Sequence, residues 1–588
     1  MASLSETPTE AVARLRAATV RDKRDAQAWR LLAGALRAAG EDGDAAEAEL
    51  MAVRATAFDP QMIAIASAMV RNDLAQAEAR LRERLRIQPT DVAAIRLMAE
   101  LAARIGRYAD SEKLLRRALE LAPGFVAARA NLALVLNRQQ RFADALVELD
   151  ALSLASEGAE DLMANRTLRA AVLGRTGDYE EAAALYEELA RAFPRHARTW
   201  MSYGHVLKTI GRQEGAVAAY RTAIDCQSDL GEAWWSLANL KTVRFDEADV
   251  AAMEAALARQ PQPSEDDRLH LHFALGKAYG DREQAEASFR HYAAGNALRS
   301  AQIGHDPAMV TAQVDQAIAI FTPEFFAARA GQGDPSPDPI FILGLPRAGS
   351  TLIEQILSSH SQVEGTMELP DIPALALREG RALGAGPRDW IGAAAKMDAA
   401  KLAALGAEFL ERTRVQRKTQ RPFYIDKLPN NWSYAGFIHL ILPNAKIIDA
   451  RRHPLDCCFS NFRQHFAKGQ GFAYDLDHIG RYYADYARAM DHLDQVLPGR
   501  VHRVIHERLL DDPEGEVRAL LAYLDLPFED GCLAFHANTR AVRTASSEQV
   551  RRPINRDGVD AWRPYAEWLD PLTRALGDVT ESYALRIG

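Results

Sequence analysis

Two stretches of the chain carry the residue types needed to hold an anion. The first, FILGLPRAGSTLIEQIL (residues 341–357), starts as a strand, turns on glycine, proline and arginine, and leaves as an amphipathic helix. A strand–loop–helix of this kind aims backbone N–H groups and the positive end of a helix dipole at one point, where an anion is favoured. Gly344 and Gly349 let the backbone turn and approach a ligand closely; Ser350 and Thr351 add hydroxyl donors and Arg347 adds a cationic fork. The spacing follows the nucleotide phosphate loop G-x-x-x-x-G-K-[ST], but Ser350 stands where that motif has lysine. That lysine reaches the β- and γ-phosphates, so its replacement counts against ATP or GTP hydrolysis. The second stretch is KIIDARRHPLDCCFSNFRQHF (residues 446–466). A strand is expected to end at Arg451-Arg452, and Pro454 to open a helix carrying Ser460. The strand end and the second helical turn can then contact one anion beside the first loop.

These elements need a sheet to position them. Short apolar strands, PIFILGL, FYIDK, KIIDAR and RVIHE, alternate with helical segments after residue 338. This alternation predicts a parallel sheet covered by helices. The stretch GQGDPSPDP, residues 331–339, is rich in glycine and proline and reads as a linker. Just before it, FTPEFFAARA has Thr322 as a helix cap and Pro323 in the first turn. GRYYADYARAMDHL, residues 480–493, is a tyrosine-rich helix, read as packing against the sheet or lining an acceptor cleft.

The first half repeats itself. Pro89 and Pro123 are 34 residues apart, as are Gly106-Arg107-Tyr108 and Gln140-Arg141-Phe142, and Trp200 and Trp234. Small residues (Ala99, Ala133, Ala170, Gly204, Ala238) recur where two helices must approach, and large ones (Leu115, Leu149, Tyr186, Tyr220) where a groove must be filled. A 34-residue helix–turn–helix with this pattern resembles the tetratricopeptide repeat, whose arrays stack into a superhelix with a concave face. The resemblance implies docking of a peptide or protein, or assembly of subunits; oligomeric state is left open.

Composition sets limits on the rest. At about 150 residues per domain, 588 residues imply three to four structural units. The formal net charge of −9 argues against broad attraction to nucleic acid or anionic membranes. Cys226, Cys457, Cys458 and Cys532 are too few and too irregular for a disulfide framework or a zinc site and are read as reduced thiols. No Asp/Glu cluster is spaced for magnesium, so no metal is expected. The N-terminal stretch has no secretory apolar core and no run of about 18 apolar residues occurs, so no membrane span and a cytoplasmic location are expected.

Together, the anion loop and the Arg452…Ser460 pair resemble the sulfotransferase family, over about residues 339–570. The resemblance is to the tyrosylprotein sulfotransferases and to bacterial sulfotransferases fused to tetratricopeptide repeats. It implies an α/β, P-loop-like domain using 3′-phosphoadenosine-5′-phosphosulfate (PAPS), with Arg347, Ala348, Gly349, Ser350 and Thr351 at the 5′-phosphosulfate and Arg452 and Ser460 at the 3′-phosphate. By the same resemblance Glu368 is the general base, with Lys427 and Arg347 at the bridging oxygen. TASSEQVRRPIN, residues 544–555, resembles the late loop that closes over the cofactor, which implies roles for Ser547, Arg551 and Arg552. The chain departs from the pattern at Ala561, where a basic residue is common; Arg551, Arg552 or Arg563 would have to compensate. His453 and His465 are read as structural.

The expected organisation is a repeat array over 1–263, a helical connector and linker over 264–338, and a sulfotransferase domain over 339–588. The expected activity is sulfuryl transfer to a hydroxyl of a protein or peptide tyrosine, a glycan or a small molecule. An inactive repeat-based scaffold and a nucleotide-dependent phosphotransferase are the competing readings.

Overall fold

The computed structural model describes residues 7–153, 159–382, 389–466, 469–542, 544, 546, 547 and 549–587. The chain divides into two compact units, residues 1–192 and 193–588.

The first unit is a series of antiparallel helix pairs. Val92–Arg104, Tyr108–Leu121 and Val126–Arg138 show its repeat. Ala99, Ala133, Ala145, Ala170 and Ala182 are fully buried where helices approach, and Leu115 and Leu149 fill the grooves between them. The turn between paired helices uses one left-handed residue, Gly106 (φ 80°), Gln140 (φ 62°) or Gly177 (φ 86°). A non-glycine residue adopts that conformation only at a cost. Asp91 caps Val92–Arg104 by accepting from the Ala94 N–H at 3.1 Å, and its other oxygen binds Arg84 at 2.6 Å.

In the second unit the repeat continues and then loses its register. Helices Ala197–Thr209 and Gln213–Cys226 pair as above, and a Cβ on Gly204 would lie 2.6 Å from the Tyr220 ring. The small/large pattern of the sequence is thus met physically. The next helix, Gly231–Ala238, ends after 8 residues, and Lys241 beyond it takes φ 66°. Helices Glu247–Ala258, Glu265–Gly280, Ala285–Ile303, Pro307–Ile320 and Pro323–Ala327 follow. Thr322 caps the last of these as expected, accepting from the Phe325 N–H at 3.2 Å. The glycine- and proline-rich stretch then crosses to the sheet, tethered by the Asp334 N–H to the Ile441 carbonyl at 2.9 Å.

Five parallel strands form the sheet: β1 (Pro339–Gly344), β2 (Val363–Gly365), β3 (Phe423–Lys427), β4 (Lys446–Arg451) and β5 (Val501–Ile505), in the order β2-β3-β1-β4-β5. All six β1 residues are buried, as a strand covered by helices on both faces requires. The chain adds strands on one side of β1 and then crosses to the other at β4. The crevice beyond the carboxyl ends of β1 and β4 is therefore the switch point where such sheets bind ligands. Tyr483 and Tyr486 of helix Leu476–Val496 are buried under β4, so this helix packs against the sheet. One continuous apolar cluster extends from Ala197 through the sheet to Leu576, so helices 197–327 and the sheet share a core.

Candidate active site

The first anion-binding element forms at the end of β1. Gly344 has φ 136°, and a Cβ there would lie 2.4 Å from the Ala450 carbonyl oxygen of β4, so only glycine fits. Arg347 takes a left-handed φ of 69°, and Gly349 (φ 99°) leads into helix Ser350–Ser358 without a side-chain cap. The N–H groups of Ser350 and Thr351 open this helix and, among the described residues, have no hydrogen-bond acceptor. They are available to an anion together with the helix dipole. The Ala348 N–H is used within the turn itself, donating to the Leu345 carbonyl at 3.2 Å, and Ala348 is buried.

The second element comes from β4. Arg452 follows the strand, and Ser460 lies on helix Pro454–Phe462, which Pro454 opens. The two elements meet: Arg347 Nε donates to Ser460 Oγ at 3.0 Å, and Arg452 Nη1 donates to the Arg347 carbonyl at 3.2 Å. A further Arg452 nitrogen donates to the Gly558 carbonyl, while Arg452 Nε is buried without a partner among the described residues. Tyr483 fixes the strand end from below, its hydroxyl donating to the Arg452 carbonyl at 2.7 Å.

Between these elements lies a cavity of about 320 Å³, within the rough 300–1,000 Å³ range of small-molecule sites. The loop contributes Arg347, Gly349, Ser350 and Thr351; the β4 side contributes Arg452, Ser460, Arg463 and Gln464. His506 after β5 closes one wall, and Ser546, Gln549 and Arg552 close another. Lys241, Lys277 and Tyr292 reach it from the helices before the sheet. Six basic side chains, Lys241, Lys277, Arg347, Arg452, Arg463 and Arg552, thus face two acidic ones, Asp281 and Asp557. Burial, then the charges of Arg452 and Arg463, lowers the Arg347 pKa to about 10. Burial, then Arg452, holds His506 neutral, with its pKa lowered to about 3. A cationic, carboxylate-poor cavity is built for a multiply charged anion.

The late segment divides its expected residues. Ser546 lines the cavity and accepts from Arg347 Nη1 at 2.5 Å; Ser547 is buried outside the lining, its hydroxyl without a partner among the described residues. Arg552 lines the cavity, whereas Arg551 turns to the Thr209 carbonyl at 3.2 Å and packs on Gly211. Arg563 is exposed and paired with Asp560 at 3.0 Å. Thr351 Oγ1 donates to Thr544 Oγ1 at 3.3 Å, joining this segment to the loop helix.

Glu368 and Lys427 form a separate pair on the other side of β1. Lys427 ends β3, is 1% exposed, and donates to Glu368 Oε1 at 2.5 Å; the Glu368 side chain is 45% exposed. Glu354 lies 4.0 Å from the same ammonium but is held by Arg540 at 2.7 Å. Because β3 and β4 are the two neighbours of β1, this pair and the Arg452–Ser460 group flank the loop from opposite sides. Neither Glu368 nor Lys427 lines the cavity. Asp426, next to Lys427, is fully buried, and burial raises its carboxyl pKa well above the ordinary range.

Sequence reasoning did not find Lys241, Lys277, Arg463, Gln464, His506 or Ser546. Ser546, His506, Arg463 and Gln464 lie within segments already singled out; Lys241 and Lys277 carry no local signal. His465 packs against His270, Phe273 and Tyr474, and burial lowers its pKa to about 3, which suits a structural side chain. All four cysteines are free thiols. Among the described residues, the one group arranged to hold a metal is Asp475, Asp477 and His478, remote in sequence from the loop. No helix of the described residues is long and apolar enough to cross a membrane.

Comparisons with known proteins agree with this architecture. Residues 339–530 match the model of the sulfotransferase family, and residues 6–60, 96–159 and 167–230 match that of the tetratricopeptide repeat. The chain joins tetratricopeptide repeats to a sulfotransferase domain. It is similar to an "Uncharacterized protein" of Aquifex aeolicus (strain VF5), 33% identical over 428 residues, covering 71% of this chain and spanning 55% of the relative's length. It is also similar to a "Putative protein-tyrosine sulfotransferase" of Caenorhabditis briggsae, 24% identical over 229 residues, which covers 38% of this chain and 80% of that protein. Among solved structures, the sulfotransferase domain from the Synechococcus PCC 7002 olefin synthase aligns with a TM-score of 0.33 at 20% identity, covering 44% of this chain and 97% of that one.

Proposed function

We propose that this chain transfers a sulfuryl group from PAPS to an acceptor hydroxyl. The observation that carries the reading is the meeting of Arg347, Arg452 and Ser460 on one cation-rich cavity beside the opening of helix Ser350–Ser358. This donor set fits a nucleotide with anionic groups at two places on one ribose. Ser350 and Thr351 would hold one end with their N–H and hydroxyl groups. Arg452, whose Nε is buried without a partner among the described residues, would hold the other with Ser460. PAPS, when bound, supplies an activated sulfuryl group: a bond from the acceptor oxygen to sulfur forms as the bond from sulfur to the bridging oxygen breaks, leaving adenosine 3′,5′-bisphosphate.

This chain's own residues then have distinct tasks. Glu368 takes the proton of the acceptor hydroxyl. The Lys427 ammonium donates to Glu368 and orients it and, with Arg347, would place positive charge where negative charge grows on the departing phosphate. In this reading Ser546, which faces the cavity, takes the assisting role expected of Ser547. The exposure of Glu368 leaves its outer side open to an acceptor carried on a large molecule. The activity in the name of the Caenorhabditis briggsae relative favours a tyrosine phenol; glycan and small-molecule hydroxyls share the same chemistry. The repeats of residues 1–192 would hold a peptide or protein acceptor, raising its local concentration.

The test combines binding and transfer. Calorimetry with the full chain is expected to show tighter binding of adenosine 3′,5′-bisphosphate than of ATP. Incubation with radiolabelled PAPS and tyrosine peptides, glycans or phenols is expected to label one class. Preference for ATP would instead support a phosphotransferase, and binding of neither nucleotide an inactive scaffold.

A further inference from the structure

Two of the cations at the cavity come from outside the sulfotransferase domain. Lys241 follows the shortened helix Gly231–Ala238 and is held in a left-handed conformation, φ 66°. That conformation costs a bulky residue free energy and persists only where the surroundings enforce it. Here they do: Lys241 Nζ donates to Gln464 Oε1 at 3.3 Å and lies 5.3 Å from the centre of the Trp235 ring. Exposed lysines ordinarily extend their ammonium into water. This one is enclosed, and among the described residues it has no carboxylate partner. Burial lowers its pKa well below the ordinary lysine value, and the charges of Arg347, Lys277 and Arg463 act in the same direction.

Lys277, on helix Glu265–Gly280, lines the same cavity and pairs with Asp281 one turn on. Arg463 lines the same cavity, its guanidinium 4.7 Å from the centre of the Phe459 ring and without a carboxylate among the described residues. Like charges gathered in an enclosed space repel and lose hydration, and one bound polyanion relieves both costs. Gln464, which holds Lys241, and Arg463 both follow Ser460 closely in the chain and line the same cavity as Arg452.

We propose that Lys241 and Lys277 bind the phosphate gripped by Arg452 and Ser460, the 3′-phosphate of the nucleotide, so that the helices before the sheet select for a 3′-phosphorylated cofactor. The inference rests on the PAPS reading above. Packing keeps these helices in place: Asn296 Nδ2 donates to the Phe462 carbonyl at 2.9 Å, and Phe289 stacks on Trp568 with centroids 5.3 Å apart.

The experiment titrates the full chain with adenosine 3′,5′-bisphosphate and with adenosine 5′-monophosphate, which lacks the 3′ group. Lys241→Gln is expected to weaken bisphosphate binding about 10–100-fold, the range for one charge-assisted contact. Monophosphate binding should stay within about twofold, and Lys241→Arg should keep most of the bisphosphate affinity. Lys277→Gln should cost less, about 3–10-fold, because Asp281 already shares its charge. Wild-type binding of the bisphosphate with no loss in Lys241→Gln, or equal losses for both nucleotides, overturns the inference. Failure of the wild-type chain to bind the bisphosphate at all overturns the PAPS reading instead. Melting temperatures show whether each variant is folded, and if Lys241→Gln is not, Lys277→Gln decides by the same comparison.

Discussion

Replacing Glu368 by glutamine tests the chemical step by itself. The substitution keeps the shape of the side chain and removes its capacity to accept a proton. A positioned general base contributes about 10²–10⁴-fold, so kcat should fall by that factor, equivalent to ~3–5 kcal/mol of barrier. The structure separates this loss from others. Glu368 does not line the cavity, so the Kd for adenosine 3′,5′-bisphosphate should stay within about threefold. The Lys427 ammonium loses its partner at 2.5 Å, and the other carboxylate near it, Glu354 at 4.0 Å, is already committed to Arg540. Glu368 is half exposed but Lys427 is buried, so leaving the ammonium with a neutral amide oxygen should cost about 1–3 kcal/mol of stability. Melting should therefore shift by a few degrees at most, with folding intact. The assay is transfer of radiolabel from saturating PAPS to whichever acceptor the wild type labels, beside calorimetry with the bisphosphate. A kcat within fivefold of wild type, or a rate loss matched by an equal loss of nucleotide affinity, would refute the assignment of Glu368 as base.

Arg452→Ala should weaken binding of the bisphosphate about 10–100-fold and leave kcat at saturating PAPS within about fivefold; a defect confined to kcat would contradict its role. Gly344→Ala should lower stability by ~2–4 kcal/mol and weaken nucleotide binding, since its Cβ would lie 2.4 Å from the Ala450 carbonyl oxygen; unchanged urea unfolding would show that β1 and β4 can separate there at little cost. Burial holds His506 and His465 neutral, with pKa values lowered to about 3, and His291 and His439 neutral, with values lowered to about 4. Below pH 6.5 the unfolded chain binds these protons and the folded chain does not. Stability from this source is therefore present above pH 6.5 and declines as pH falls toward 4. A melting temperature that stays flat from pH 7.5 to pH 5 would exclude this contribution.

What could be read from the sequence was what the local backbone determines. The strand, the glycine-bounded turn and the following helix at residues 341–357 are set by neighbouring residues, and Pro454 and Thr322 mark helix starts by their own chemistry. The repeat was legible because Gly204 and Tyr220, like Ala99 and Leu115, recur at fixed intervals. The sheet could be recognised from its longer strands, but β2 is three residues long and too short to carry a pattern. Residues 544–555 were recognised as a segment, yet which of two adjacent serines faces the cavity depends on the path of the loop, and that path chose Ser546. Arg551 and Arg552 are likewise adjacent, and the Thr209 carbonyl draws one of them away. Lys241 lies in a bend after a short helix and Lys277 on a helix whose pattern reports packing alone, and only the tertiary fold, with Gln464 holding Lys241, brings them to the cavity.

The apolar cluster that runs unbroken from Ala197 into the sheet bears on how this architecture can diversify. Repeats can be added to or lost from residues 1–192 as whole modules, each burying its apolar face on its neighbours. After residue 193 the same kind of change would shift the register of the segments that carry Lys241 and Tyr292. The array is thus expected to vary freely in length toward its beginning and to be invariant over its last turns, with chimaeras tolerated when joined near residue 192 and not when joined at the linker before β1.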